Sequence, residues 1–152
     1  MSENERIIRQ LYQLAEEQNV VAFAAMFGDD GIFIDMSTGR TFHGPDTGAP
    51  VALYAAAFPD MHRELGRFVE SGNTVVVELT LNGTHRGALT LPNGQIPATG
   101  RKIEVPCCDV FVVKDGRVAS FHCYNAASTL FAQLGVLDNL AGATLPNSST
   151  SV

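Results

Sequence analysis

The sequence predicts an α+β fold in which helices pack on one side of a curved antiparallel sheet. Apolar residues with helical spacing occur within the first 59 residues and again near residue 130. Between these regions, residues 74–85 alternate apolar and polar side chains with a period of two, as in a strand with one buried face. Asp115 and Gly116 form a hairpin signal between two further apolar segments. Three helices, a series of strands and a closing helix are the order expected for this class.

The N-terminal third is predicted to be helical. Ser2 is followed three positions later by Glu5, a capping-box pattern that begins the first helix. Asn19 is expected to cap a second, short helix, which Gly28 ends. A third helix is predicted over 50–58, because proline fits the first turn of a helix and the proline at 59 ends it.

The strands follow from alternation and turn residues. After a turn at 29–31, residues 32–35 form a short strand, and a glycine-containing loop leads to the third helix. Residues 61–70 show only a loose alternation of apolar and polar side chains. The alternation in 74–85 places His85 on the apolar face of its strand.

The C-terminal half continues this pattern. A glycine-rich excursion at 87–100 contains its own hairpin signal and is expected to fold over the sheet as a lid. Residues 105–113 and 117–125 are predicted to pair as a hairpin. Asn125 is expected to cap a final helix over 126–134, which Gly135 ends.

Composition narrows the classes of function. Charged residues make up 17% of the 152 residues and the net charge is −6, without a basic cluster, so nucleic acid is not an expected partner. No apolar run approaches the roughly 20 residues that a membrane span needs. The start of the chain has no hydrophobic signal core, and we expect a cytoplasmic protein. One domain over 1–138 and a partly disordered tail over 139–152 are expected.

The three cysteines do not form a recognisable framework. Cys107 and Cys108 are adjacent, and neither they nor Cys123 combine with histidines at a spacing typical of a zinc site. No metal is expected from this spacing. Reduced thiols agree with a cytoplasmic location, and a buried cysteine commonly serves as a small apolar residue.

Asp109 is the most informative single residue. It lies in the middle of VPCCDVFVV, a segment that is apolar on both faces. An ionised carboxylate buried there costs several kcal/mol unless it is paired, so Asp109 is either paired or held protonated. The simpler alternative is a buried aspartate satisfied by a tyrosine or by a backbone amide. Asp109 is therefore a candidate site residue.

Several segments carry a family resemblance. In order and spacing, MFGDDGIFID, TFHGPDTG, FPDMHRELGRFVESGNTVVVELTLNGTHRG and CCDVFVVKDGRVASFHCYNAA resemble the nuclear transport factor 2-like (NTF2-like, cystatin-like) superfamily. Within it, the chain is similar to the ketosteroid isomerase and SnoaL-like polyketide cyclase groups. This resemblance implies a cone, in which a strongly curved antiparallel sheet wraps around the N-terminal helices and leaves a deep apolar pocket. It also implies a homodimer formed through the outer sheet face.

The resemblance assigns roles to three residues. Asp35 aligns with the general base of ketosteroid isomerases, and Asp109 aligns with the protonated acid that donates to the enolate oxygen. His85 matches a histidine frequent in SnoaL-like proteins and is assigned an assisting role as a proton shuttle. Together they imply proton abstraction next to a carbonyl group, without a cofactor.

Other positions depart from these families. The isomerase tyrosine of the first helix aligns with Leu11, and Tyr12 is one position later, about 100° around the helix. Tyr54 matches a supporting tyrosine of the third helix. The general base of the cyclases aligns with Ala126, and its polar neighbour Asn125 is an amide, which cannot act as that base.

Two alternatives concern the assigned residues. Asp35 can end its strand in an ordinary Asx turn, with its carboxylate bonded to the following backbone. His85 can sit at the sheet edge and hydrogen-bond a backbone carbonyl.

The sequence thus predicts a protein that binds a small apolar carbonyl compound, such as a polyketide, terpenoid or steroid-like molecule, and isomerises or cyclises it. The alternatives are a non-catalytic ligand-binding protein and a hydrolase or dehydratase that uses the same pocket. The residues expected to contact the ligand are Tyr12, Phe33, Tyr54, Phe58, Val77, Leu79, Cys107, Phe111, Phe121, Cys123 and Asn125.

Overall fold

A computed structural model describes residues 1–138 of the chain. The predicted disordered tail, 139–152, lies outside the described residues. Within the described part, four α-helices accompany a six-stranded sheet and a separate two-stranded hairpin. The elements are α1 (Glu3–Glu16), α2 (Val20–Ala25), β1 (Phe27–Asp35), β2 (Arg40–His43), α3 (Ala49–Ala57), β3 (His62–Ser71), β4 (Thr74–Thr84), β5 (Leu89–Leu91), β6 (Gly94–Ile96), β7 (Lys102–Lys114), β8 (Arg117–Asn125) and α4 (Ala127–Gln133).

The predicted caps of the first two helices are confirmed. The Ser2 hydroxyl accepts the Glu5 backbone N–H at 3.0 Å, which satisfies one of the free donors at the start of α1. The Asn19 side chain accepts the Ala22 N–H at 3.1 Å and does the same for α2. These local bonds fix where the helical hairpin begins and turns.

The sheet is curved, not closed, and has the strand order β2-β1-β8-β7-β4-β3. The α+β class and the curved sheet beside N-terminal helices are therefore confirmed. One pairing differs from the expected all-antiparallel sheet, because β1 and β8 run parallel. These strands are not joined by a tight turn, so no hairpin forces them to be antiparallel.

Two local predictions about the strands were wrong. Residues 40–43 were expected in a loop but form the edge strand β2, whose only buried side chain is Phe42. Such a short, half-polar segment shows no period of two. The turn expected at 29–31 lies inside β1, where the register with β8 shifts between Phe27 and Ile32. The glycine and aspartates there form an irregularity of the strand.

The two predicted hairpins are present. Asp115 (φ 52°) and Gly116 (φ 75°) both have positive φ, as a type I′ turn between β7 and β8 requires. The excursion after β4 folds as the β5–β6 hairpin. Leu89 of this hairpin is buried in the core, and β5 lies beside α3.

The start of α4 differs from the prediction. Ala126 occupies the capping position without a side-chain bond. The amide of Asn125 instead donates to the Tyr54 hydroxyl at 3.3 Å. The end of the helix is as predicted, since Gly135 (φ 80°) adopts the left-handed conformation that glycine allows.

The two faces of β7 differ in burial. Its inward residues, among them Cys107, Asp109 and Phe111, are buried against the helices. On the outward face Cys108, Val110 and Val112 are half-buried in the single chain. No helix among the described residues is long and apolar enough to cross a membrane.

Candidate functional site

An apolar cavity of about 40 Å³, called here the inner cavity, lies between the concave sheet face and the helices. α1, α2 and α3 cover it from one side, and β1, β3, β4, β7 and β8 form the other. A cavity of this size has room for a few water molecules at most. It is lined by Tyr12, Ala15, Phe23, Phe33, Val51, Tyr54, Arg63, Leu79, Leu81, Cys107, Asp109, Phe121 and Cys123.

The strand register places the two candidate carboxylates on one face of the sheet. Asp35 of β1 lies opposite Cys123 of β8, and Cys123 lies opposite Asp109 of β7. Residues paired in this way point their side chains to the same side. Adjacent strands are about 4.8 Å apart, so the Cα atoms of Asp35 and Asp109 are separated by about 10 Å. The parallel pairing of β1 with β8 thus places Asp35, Cys123 and Asp109 side by side across three strands.

Asp109 is bonded through both of its oxygens. The carboxyl group is 2% exposed; Oδ2 accepts the Tyr12 hydroxyl at 2.6 Å, and Oδ1 accepts the Cys107 thiol at 3.3 Å. Burial raises the pKa of Asp109 to about 6, even though both hydrogen bonds favour the charged form. The group therefore titrates close to neutral pH. Burial, and next the charge of Asp109, raise the pKa of Tyr12 well above its usual value, so its hydroxyl remains a donor.

Tyr12 was expected about 100° from the required direction, but it reaches Asp109. Both Leu11 and Tyr12 are buried, because α1 presents a broad face to the sheet. The alignment of the isomerase tyrosine with Leu11 therefore did not predict how α1 is rotated against the sheet. Tyr12 also packs edge-on against Phe111 at 5.7 Å between ring centres, which fixes the ring that carries the hydroxyl.

Two thiols complete this polar cluster. The Cys107 and Cys123 sulfurs are 3.7 Å apart, and both cysteines are free. The hydrogen bond with Cys123, together with burial, raises the pKa of Cys107. The contact with Cys107 favours the thiolate of Cys123, but burial and nearby Asp109 outweigh it and raise its pKa. Both groups are therefore neutral thiols and poor nucleophiles.

A second space, the outer cavity, adjoins the inner one. Its volume is about 80 Å³, and Tyr54 lines both cavities. Asp35 and Asn125 line the outer cavity, as do Leu89, Thr90, Leu91 and Pro92 of the segment expected to form a lid. The Asn125 Oδ1 is buried and has no hydrogen-bond partner among the described residues. The two predicted carboxylates therefore line adjoining cavities, with Tyr54 between them.

Asp35 forms the Asx turn that was the structural alternative to its role as a base. Its Oδ1 accepts both the Ser37 backbone N–H at 2.9 Å and the Ser37 hydroxyl at 2.6 Å. This is an Asx turn that carries the chain from β1 towards β2. Both bonds engage one oxygen, and the carboxylate still lines the outer cavity.

His85 lies away from the cluster. It is fully buried, and its Nδ1 lies 2.9 Å from the Thr99 hydroxyl and 3.1 Å from the Thr99 backbone nitrogen. Its ring packs on Phe58 at 5.3 Å, and it lines neither cavity. Burial lowers its pKa, so the ring is neutral. His85 therefore lies outside the cluster that its assisting role requires, and its partner is Thr99, not the backbone carbonyl expected in the structural alternative.

Three other predicted contact residues lie behind the cavity walls. Phe58, Val77 and Phe111 are fully buried and line neither cavity. The remaining predicted contacts, including Phe33, Leu79 and Phe121, line the inner cavity, and Asn125 lines the outer one.

Sequence reasoning missed one charged residue that lines the inner cavity. Arg63 pairs with Leu81 across β3 and β4, and its side chain is only 10% exposed. It lines the inner cavity and also contacts a Glu16 oxygen at 3.5 Å. The signal was present, since Arg63 shares the parity of apolar Met61 and Leu65.

The sequence matches the SnoaL-like domain family over residues 8–121. The chain belongs to this family. The match covers the strands and helices that build the inner cavity as far as Phe121. Membership supports, in broad terms, a function of the cyclase or isomerase type. No curated protein matches this SnoaL-like chain.

Solved structures show the same fold at low identity. A ketosteroid isomerase-like protein from Catenulispora acidiphila, solved with trimethylamine, is 22% identical, with a TM-score of 0.71 over 85% of this chain and 92% of that one. AclR from Streptomyces galilaeus, a candidate hydroxylase, is 17% identical, with a TM-score of 0.75 over 90% and 98%. IdmH from Streptomyces antibioticus, a candidate polyketide cyclase, is 24% identical, with a TM-score of 0.69 over 88% and 99%. These similarities establish the fold, whose members differ in activity.

Proposed function

We propose that the protein binds a small apolar carbonyl compound and isomerises or cyclises it by proton transfer, without a cofactor. The observation that carries this proposal is the Tyr12–Asp109 pair, bonded at 2.6 Å at the wall of an apolar cavity. Tyr12 is a donor, and Asp109 becomes one when protonated. When Asp109 is protonated, its O–H can donate to the Tyr12 oxygen, which frees the single Tyr12 proton for a ligand carbonyl oxygen. That donor stabilises the negative charge that develops on the oxygen when a neighbouring carbon loses a proton.

Asp35 is proposed as the base. It lies on the same sheet face as Asp109, with about 10 Å between Cα atoms by strand spacing. A ligand whose carbonyl oxygen accepts the Tyr12 proton would extend a few carbon atoms towards Asp35. The carboxylate would take a proton from the carbon next to the carbonyl. Returning that proton to a different carbon gives isomerisation. Attack of the carbanion on a second carbonyl instead forms a ring, and the alkoxide produced there takes the proton from Asp35.

The size of the cavities determines how the ligand enters. At about 40 and 80 Å³, neither holds a polyketide-sized molecule by itself. The proposed bound state therefore joins the two spaces by a movement of Tyr54, which lines both. Family neighbours that are candidate polyketide cyclases support a polyketide as the substrate class.

One observation favours a second function, ligand binding without chemistry. The Asp35 Oδ1 accepts two hydrogen bonds from Ser37, as in an ordinary turn, so one oxygen of the proposed base is already occupied. In this case the Tyr12–Asp109 pair would orient a bound carbonyl group, and no proton would leave carbon.

Solvent deuterium exchange separates the two functions. The pure protein is incubated in D₂O with a panel of cyclic unsaturated ketones, and mass spectrometry follows deuterium at carbon while ligand-observed NMR follows binding. We expect exchange with the native protein and with Asp30→Asn, an exposed carboxylate of the same strand, and loss of exchange with Asp35→Asn. Binding without exchange supports the second function. Absence of both, or exchange unaffected in Asp35→Asn and Asp109→Asn, refutes the proposal.

A further inference from the structure

Three potential metal ligands converge at one wall of the inner cavity. The Cys107 sulfur, the Cys123 sulfur and an Asp109 carboxylate oxygen all lie within 4.8 Å of one another, and all three residues are buried. The two sulfurs are 3.7 Å apart, and the Cys107 sulfur is 3.3 Å from the Asp109 Oδ1. The ligands come from two adjacent strands, and for this reason the spacing along the sequence did not reveal them.

The distances agree with tetrahedral coordination of a thiophilic ion. With Zn–S bonds of about 2.3 Å and a tetrahedral angle, two thiolates lie about 3.8 Å apart. With a Zn–O bond of about 2.1 Å, a thiolate and a carboxylate oxygen lie about 3.6 Å apart. The observed 3.7 and 3.3 Å differ from these values by a few tenths of an ångström. The Cys123 sulfur and the Asp109 oxygen lie within 4.8 Å, so this third pair would close by up to about 1.2 Å to reach the same geometry.

The surroundings also suit a metal. The Tyr12 hydroxyl is bonded to the Asp109 Oδ2, and Oδ1 is on the side of the thiols. An outer hydrogen bond of this kind orients a ligating carboxylate. Two thiolates, a carboxylate and a divalent cation carry a net charge of −1, and the Arg63 guanidinium lines the same cavity. Arg63 also contacts Glu16, so its charge is shared.

We propose that Cys107, Asp109 and Cys123 form a site for one thiophilic divalent ion of the Zn²⁺ type, with a fourth coordination position open to the inner cavity. Binding breaks two S–H bonds, forms two metal–sulfur bonds and releases the two protons to solvent. No electron is transferred. The metal-bound state and the proposed catalysis exclude one another at Asp109, because a coordinated carboxylate has no proton to donate; the proposed catalysis is that of the metal-free protein.

The experiment is a titration of the full-length, reduced, metal-free protein with Co²⁺ and separately with Zn²⁺. Near-ultraviolet thiolate-to-cobalt absorption reports bonding to sulfur, and elemental analysis after dialysis gives the Zn²⁺ content. We expect one ion per chain in the native protein. Cys108→Ser is the matched control, because Cys108 is the sequence neighbour of Cys107 but is half-buried on the opposite sheet face. It should bind like the native protein.

Cys107→Ser and Cys123→Ser should bind at least 100-fold more weakly and lose the sulfur-to-cobalt absorption. Tyr12→Phe retains every ligand atom and should bind about 10-fold more weakly, since it removes only the outer hydrogen bond. Tyr12→Phe thus tests the site even if the cysteine variants do not fold. No uptake by the native protein refutes the proposal. Uptake that is unchanged in Cys107→Ser and Cys123→Ser, or lost in Cys108→Ser, refutes it as well.

Discussion

Replacing Asp109 by asparagine should remove one defined component of the pH dependence of stability. The folded-state pKa of Asp109 is raised to about 6, compared with 3.8 for the unperturbed side chain. The folded state therefore holds the Asp109 proton more tightly than the unfolded state. The contribution of Asp109 to stability is largest below about pH 4 and is lost as the pH rises from about 4 to about 6. A difference of this size corresponds to about 3 kcal/mol.

Asparagine has nearly the same shape as a protonated aspartate and does not titrate. The free energy of unfolding of the native protein, minus that of Asp109→Asn, should therefore fall by up to about 3 kcal/mol between pH 4 and pH 6.5. Taking the difference removes the contributions of the other carboxylates. With a urea dependence of about 2 kcal/mol/M, the difference between the two midpoints should change by more than 1 M.

Urea unfolding followed by circular dichroism at five pH values measures this quantity. Asp30→Asn, an exposed aspartate on β1, is the control and should follow the native protein at every pH. A difference between native protein and Asp109→Asn that stays constant within about 0.5 kcal/mol would show that Asp109 is not held near pH 6. A difference that rises with pH would reverse the sign and show that its hydrogen bonds dominate over burial.

Three further predictions concern other parts of the molecule. Tyr54→Ala should join the inner and outer cavities and increase the association rate of an apolar ketone severalfold, as measured by stopped-flow binding, because it removes the side chain that lines both spaces. If the protein dimerises through the outer sheet face, Val110→Lys should convert the dimer to a monomer in light scattering, since Val110 is half-buried on that face. Gly116→Ala should lower the free energy of unfolding by about 1–2 kcal/mol, because φ is 75° at this turn position.

Controls make these outcomes specific. Leu53→Ala removes a side chain from the outer cavity only and should leave the association rate nearly unchanged. Lys114→Ala, at the exposed end of β7, should leave the oligomeric state unchanged. An alanine at 116 that costs nothing in chemical denaturation would contradict the turn conformation. A native protein that is monomeric at high concentration would contradict the expected dimer.

Much of the fold follows from local sequence signals. The caps at Ser2 and Asn19, the alternation in β4 and the turn at Asp115 and Gly116 each act over a few residues, and each is confirmed. The edge strand β2 escaped prediction because it is stabilised by pairing with β1 and contains too few residues for a pattern. The parallel pairing of β1 with β8 was also beyond local signals.

The candidate site, like the fold, was predicted in part from the sequence and decided in part by the tertiary structure. The sequence by itself determined that Asp109 is an anomaly, because a carboxylate within an apolar strand needs a partner or a proton. Only the tertiary structure decided which groups meet it. Tyr12 is 97 positions away, and it reaches Asp109 because of how α1 is rotated against the sheet. Cys123 lies beside Asp109 because of the β7–β8 register.

The physical reason is the range of the interactions. Helix caps and turns are bonds between near neighbours, so residue type and spacing specify them. The meeting of Tyr12, Cys107 and Cys123 at Asp109 depends on strand register and helix orientation, which the packing of the whole core fixes at once. The sequence thus indicated that Asp109 required partners, and the packed fold determined which ones they are.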